Sequence, residues 1–80
     1  MPQWQAGNPE RKFSQWRELA GGGRCYWLDV PGHHGWLARY LKEVDVDENT
    51  IRFWQEIYDD SGKLVEVDEK FPVDRGHQRL

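Results

Sequence analysis

The residues with the widest chemical range in this chain lie in "DVPGHHGWLARY", residues 29–40, where His33 and His34 stand side by side between glycines. Histidine titrates near neutrality and serves both as general base and as metal ligand. A metal centre needs a third ligand at least. Asp29 and His77 are the evident recruits, and neither a His-x-x-x-His spacing nor a cysteine pair supports them. A catalytic reading takes His33 or His34 as base, with His77 or an arginine (Arg39 or Arg79) as its partner. Against both stands the chemistry of a bend. Pro31, Gly32 and Gly35 suit a chain reversal, and the histidines then project from a loop tip. We read the segment as that bend, with no metal and no cofactor.

The elements around the bend follow from periodicity. Residues 1–7 have no clear period and read as an arm. In "NPERKFSQWRELAGGG", Asn8 suits an N-cap, Pro9 the first helical position, and Glu10 the positive end of the helix dipole. Phe13, Trp16 and Ala20 then recur at helical spacing before Gly21–Gly23. The spacing predicts a helix over residues 9–20. A helix of three turns is marginal alone and needs a sheet to lie on.

After Gly23 the chain alternates. Residues 24–30, 36–44, 50–59 and 63–71 are four runs rich in β-branched and aromatic residues, joined by the short connectors "PGHHG", "DVDEN" and "DSG". Short connectors make neighbours antiparallel, so the expected fold is α+β, one N-terminal helix packed on a four-stranded antiparallel meander. The meander spans residues 24–71, residues 72–80 form a polar tail, and the whole is a single small domain.

Register follows from keeping each face coherent. Val44 opposite Ile51 pairs Arg39 with Glu56 and Glu43 with Arg52, whereas a shift by one sets charges against apolar groups. Leu28 opposite Ala38 puts Tyr26 opposite Tyr40 and Trp27 opposite Arg39, close enough for a cation–π contact. Ile57 opposite Val65 and Tyr58 opposite Leu64 leave Gly62 in a left-handed bulge position, at the cost of facing Glu56 with Glu66. One face then carries Tyr26, Leu28, Val30, Trp36, Ala38, Tyr40, Val44, Ile51, Phe53, Ile57, Val65, Val67 and Phe71, the core beneath the helix. The other carries Trp27, Arg39, Trp54 and Tyr58 among complementary charges. Trp, Tyr and Arg dominate interface energetics, so this cluster is the candidate binding surface, for a protein partner or a homodimer.

Composition narrows the class. Eighty residues with five tryptophans hold more aromatic area than one small core hides, which again favours association. The single cysteine, Cys25, permits no intramolecular disulfide and falls within a strand, where packing is expected rather than reactivity. The net charge of −3 argues against a general nucleic-acid binder. No apolar run approaches the roughly 20 residues of a membrane span, and the N-terminus lacks a signal-peptide core, so a soluble cytoplasmic protein is expected.

The order of helix, meander and C-terminal "GHQR" resembles the small RelE-type ribonuclease toxins of bacterial toxin–antitoxin pairs. The resemblance rests on Arg39 on a strand and on Gly76, His77 and Arg79 near the end. It implies an alternative in which His33, His34, Arg39, His77 and Arg79 serve ribonuclease chemistry. The chain departs from those toxins in its acidic balance and its single N-terminal helix. The leading expectation is a non-enzymatic interaction protein.

Overall fold

The computed structural model describes residues 13–80. Six strands follow one another along the chain: β1 (Gln15–Glu18), β2 (Arg24–Pro31), β3 (Leu37–Val44), β4 (Thr50–Tyr58), β5 (Leu64–Phe71) and β6 (Gly76–Arg79). Each pairs antiparallel with the next, giving one sheet in the order β1-β2-β3-β4-β5-β6. The only helical segment among the described residues is one 3-10 turn, His33–Gly35. An antiparallel meander is present as expected, but it has six strands rather than four, and the described residues are all-β and not α+β.

The predicted N-terminal helix is overturned where it can be seen. Its first part, residues 9–12, and the arm lie outside the described residues. The rest is β1, with Trp16 opposite Tyr26 and Glu18 opposite Arg24. The glycines taken for a helix stop are instead the hairpin loop. Gly21 and Gly22 have φ of 93° and 98°, and the turn closes with Gly22 N–H donating to Leu19 O and Leu19 N–H to Gly23 O. A short helix must be held by tertiary packing, whereas the strand gains a backbone ladder at once. Cross-strand side chains add to it: the Arg24 guanidinium lies 5.1 Å from the Trp16 ring centroid, and the rings of Trp16 and Tyr26 are 6.5 Å apart. Phe13 and Trp16, placed on one helical stripe, part company, since Phe13 is buried and Trp16 is 49% exposed.

The polar tail is also corrected. Its residues 76–79 form β6, with Arg79 opposite Glu66 and His77 opposite Asp68, and Leu80 N–H donates to Val65 O. Glu66, left facing Glu56 by the predicted register, thus meets Arg79, and Asp68 meets His77.

Bulges set the register. Arg39 faces Glu56 and Glu43 faces Arg52 as expected, but Val44 lies opposite Thr50, with Ile51 as the extra residue, exposed rather than in the predicted core. On β5, Tyr58 pairs with Leu64 and Ile57 with Glu66, leaving Val65 as the extra residue. That bulge replaces the predicted Glu56–Glu66 conflict with Glu56 opposite Val67. It also reverses the parity of β5, so that Asp68 and Glu66, not Val67, share the face of Phe53 and Ile57. Gly62 takes the predicted left-handed conformation at φ 86°. The first hairpin is two residues out: Leu28 faces Tyr40 and Asp29 faces Arg39. A shift of two keeps every side chain on its predicted face.

The core lies on the face of Tyr26. Phe13, Tyr26, Val44 and Phe53 form a buried cluster, with Leu28 and Tyr40 packed against it. It occupies the end of the sheet nearest the β1–β2 and β3–β4 turns. The same face buries Lys42, Gln55 and Asp68. Burial pushes the Lys42 amine below the ordinary lysine value, with the Glu48 carboxylate opposing that shift.

Candidate binding surface

The sheet brings Trp27, Arg39, Trp54 and Tyr58 to one face, as the alternation requires. Four cross-strand rows run over this face: Cys25–Glu43–Arg52, Trp27–Leu41–Trp54, Asp29–Arg39–Glu56 and Pro31–Leu37–Tyr58. The predicted partner of Arg39 changes with the two-residue shift. Arg39 donates from Nε and Nη2 to the two carboxylate oxygens of Asp29, at 2.7 and 3.0 Å, and lies 5.7 Å from the Tyr58 ring centroid. The Trp27–Arg39 pairing is replaced by Trp27 opposite Leu41.

Around Trp54 the polar groups satisfy one another. The Arg52 guanidinium carbon sits 3.9 Å from the Trp54 ring centroid while Arg52 bonds bidentately to Glu69. Trp54 Nε1 and Tyr58 Oη both donate to Glu56, at 3.0 and 2.7 Å. Trp54 is consequently only 7% exposed. Burial, then the hydrogen bond to Glu56, raises the Tyr58 phenol above its usual value. The Arg52 hydrogen bond holds the Glu69 carboxyl below the ordinary range, against the effect of burial. Cys25 is buried on this face, and burial raises its thiol pKa while Arg17 opposes. This face is a ladder of paired side chains that stiffens the sheet. Of the four predicted binding residues, Trp27, Arg39 and Tyr58 are half-buried and Trp54 is buried.

Exposed apolar residues lie elsewhere, and one group of them is at the hairpin end. The β2–β3 turn closes with Gly32 N–H donating to Trp36 O at 2.7 Å and Trp36 N–H to His33 O at 3.1 Å. His34 and Gly35 adopt left-handed φ of 57° and 81°. The sheet brings the β4–β5 turn alongside, close enough that a Cβ on Gly35 would lie 3.2 Å from Asp60 Cβ. That second turn is fixed by Asp59, whose Oδ1 accepts from the amides of Ser61 and Lys63 and from Ser61 Oγ. Between the two turns, on the Tyr26 face, a cavity of about 450 Å³ is lined by Trp36, Leu37, Ala38 and Ile57 beneath His33 and His34. Trp36 is 43% and Val30 40% exposed beside it. On the opposite face a cleft of about 370 Å³ is lined by Leu37, Arg39, Tyr58, Asp59 and Asp60.

The sequence assigned Val30, Trp36, Ala38 and Ile57 to a core covered by a helix. No described helix lies there. A signal was present: a helix of 12 residues is only ~18 Å long and could not cover a sheet out to its hairpin tips.

The alternative catalytic set is not assembled. His33 and His34 stand exposed at the tip, with ring centroids 6.3 Å apart. His77 and Arg79 are on β6, three strand spacings or about 14 Å from β3. Arg39 points to the other face from His77, because it pairs with Glu56 while His77 pairs with Asp68 in the row of Gln55. Among the described residues no group of three or more His, Cys, Asp or Glu is placed to hold a metal. No described helix is long and apolar enough to cross a membrane. Comparison with known proteins returns no match, whether to a family model, a curated protein or a solved structure.

Proposed function

We propose that this chain is a non-enzymatic interaction module that self-associates through the hairpin end of its Tyr26 face. The observation that carries the reading is the cavity between Trp36, Ala38 and Ile57, open beside a Trp36 ring that is 43% exposed. A two-fold interface must be complementary to itself, and a patch that holds both a projection and a recess meets that condition. Here Trp36 is the projection and the cavity is the recess. Aromatic side chains entering apolar pockets are the contacts that dominate association energies. None of the cavity-lining residues carries a carboxylate, so two copies of a chain with net charge −3 can approach there with the least repulsion.

Amide chemical shifts recorded over a dilution series test this reading. Residues 32–38 and Ile57 should shift together with concentration, while the amides around Trp54 stay fixed. Concentration-independent shifts at the hairpin end, or shifts centred on Trp27 and Trp54, would contradict it.

A further inference from the structure

At the far edge of the sheet, the side chain of His77 on β6 bridges two carboxylates of β5. Its Nδ1 is 2.7 Å from Glu66 Oε2 and its Nε2 is 3.2 Å from Asp68 Oδ2. Asp68 is 3% exposed, and its Oδ2 also accepts a 2.7 Å hydrogen bond from Lys70 Nζ, while its Oδ1 has no partner. We propose that this contact is a protonation-dependent latch that holds β6 on the sheet.

The argument is one of proton count. A neutral imidazole carries one N–H and one lone pair, whereas the imidazolium carries two N–H groups. Both ring nitrogens of His77 lie at contact distance from a carboxylate oxygen. In the neutral ring, whichever nitrogen lacks its proton turns a lone pair on a negative group, so only the imidazolium satisfies both contacts. Among the described residues, the charged groups facing His77 are few. From β5 come Glu66 and Asp68, with Lys70 held by Asp68; from β6 comes Arg79, opposite Glu66. From β4, Gln55 lies opposite Asp68 and is uncharged. Of the side-chain types in this cluster, imidazole is the one whose ordinary charge change falls near neutrality.

β6 is well suited to such control. It is a four-residue edge strand, and His77, Gln78, Arg79 and Leu80 are all exposed. Short edge strands have little apolar burial to hold them and open at low cost. Release of β6 bares the outer edge of β5 over Glu66–Glu69, a row of backbone groups able to pair with another strand. The latch is closed above the range in which carboxylates protonate and below that in which histidine loses its proton, and it loosens as pH rises.

Amide hydrogen exchange, corrected for the intrinsic rate at each pH, reads the latch directly. Protection of Leu80, whose N–H donates to Val65 O, should fall several-fold between about pH 5.5 and about pH 8, spanning histidine titration. Amides of the β3–β4 ladder should hold their protection over the same interval. In His77→Gln, Leu80 should be weakly protected at both pH values, and Glu66→Gln should weaken the dependence without affecting the fold. Equal protection of Leu80 at the two pH values in the unaltered protein, or a His77→Gln protein that keeps the pH dependence, would overturn the proposal.

Discussion

Arg52 lies over Trp54, its guanidinium carbon 3.9 Å from the ring centroid, and is held there by a bidentate bond to Glu69, the cross-strand partner of Trp54. The arrangement roofs the indole with a planar cation that is itself anchored. It accounts for a tryptophan that is almost fully buried, with no further described strand or helix laid over its face.

Removing the roof should therefore expose the ring. In Arg52→Ala, emission from Trp54 shifts to the red and the protein loses roughly 1 kcal/mol, the scale of one cation–π contact at a partly exposed site. Arg52→Lys recovers little, because an ammonium can neither cover the ring nor grip the carboxylate with two nitrogens. Fluorescence spectra and urea midpoints of the two variants check this.

The same contact predicts acid sensitivity. Arg52 lowers the Glu69 pKa, so the folded state favours the charged carboxylate more than the unfolded chain does. A lowered pKa contributes stability that is present above the ordinary carboxylate range and is lost as pH falls through the folded-state value. The urea midpoint should fall between about pH 6 and about pH 3, the range over which carboxylates protonate, and fall by less in Glu69→Gln. Urea titrations of both proteins across that interval provide the measurement.

Glycines with different geometry should respond differently to alanine. Gly62 has φ 86° with open space around it, so Gly62→Ala meets only backbone strain and costs about 1 kcal/mol. At Gly23 an added Cβ would collide with the carbonyl oxygen of Val44, part of the core end of the sheet. Gly23→Ala should therefore be the more destabilising of the two, by thermal denaturation. The reverse order would mean the β1–β2 turn does not pack against β3 as described.

Much of the sheet was legible because alternation carries parity. Arg39 opposite Glu56 and Glu43 opposite Arg52 followed from charge alone, and both are present. Leu37, Arg39 and Leu41 share a face opposite to Ala38 and Tyr40, since their partners are Tyr58, Glu56 and Trp54. Bulges were not legible: skipping Val65 or Ile51 depends on the joint fit of two strands, and each skip changes what faces what. The edge strands were not legible either. β1 is exposed at every position and β6 at most, so neither shows the alternation a half-buried strand leaves in sequence. With the helix gone, residues assigned to its shelter became surface. Val30 and Trp36 moved from presumed core to candidate interface, and Trp54 moved the other way. A charge placed at Trp54 would therefore probe folding, and one placed at Trp36 probes association.

The most direct measurement is sedimentation velocity of the unaltered protein and of Trp36→Asp from low micromolar to millimolar concentration. Trp36 is exposed, so the variant should keep the native far-ultraviolet spectrum. The unaltered chain should pass from monomer to dimer over that range, and Trp36→Asp should remain monomeric. A chain that stays monomeric throughout, or a Trp36→Asp variant that dimerises as readily as the unaltered protein, would contradict assignment of the interface to the hairpin end.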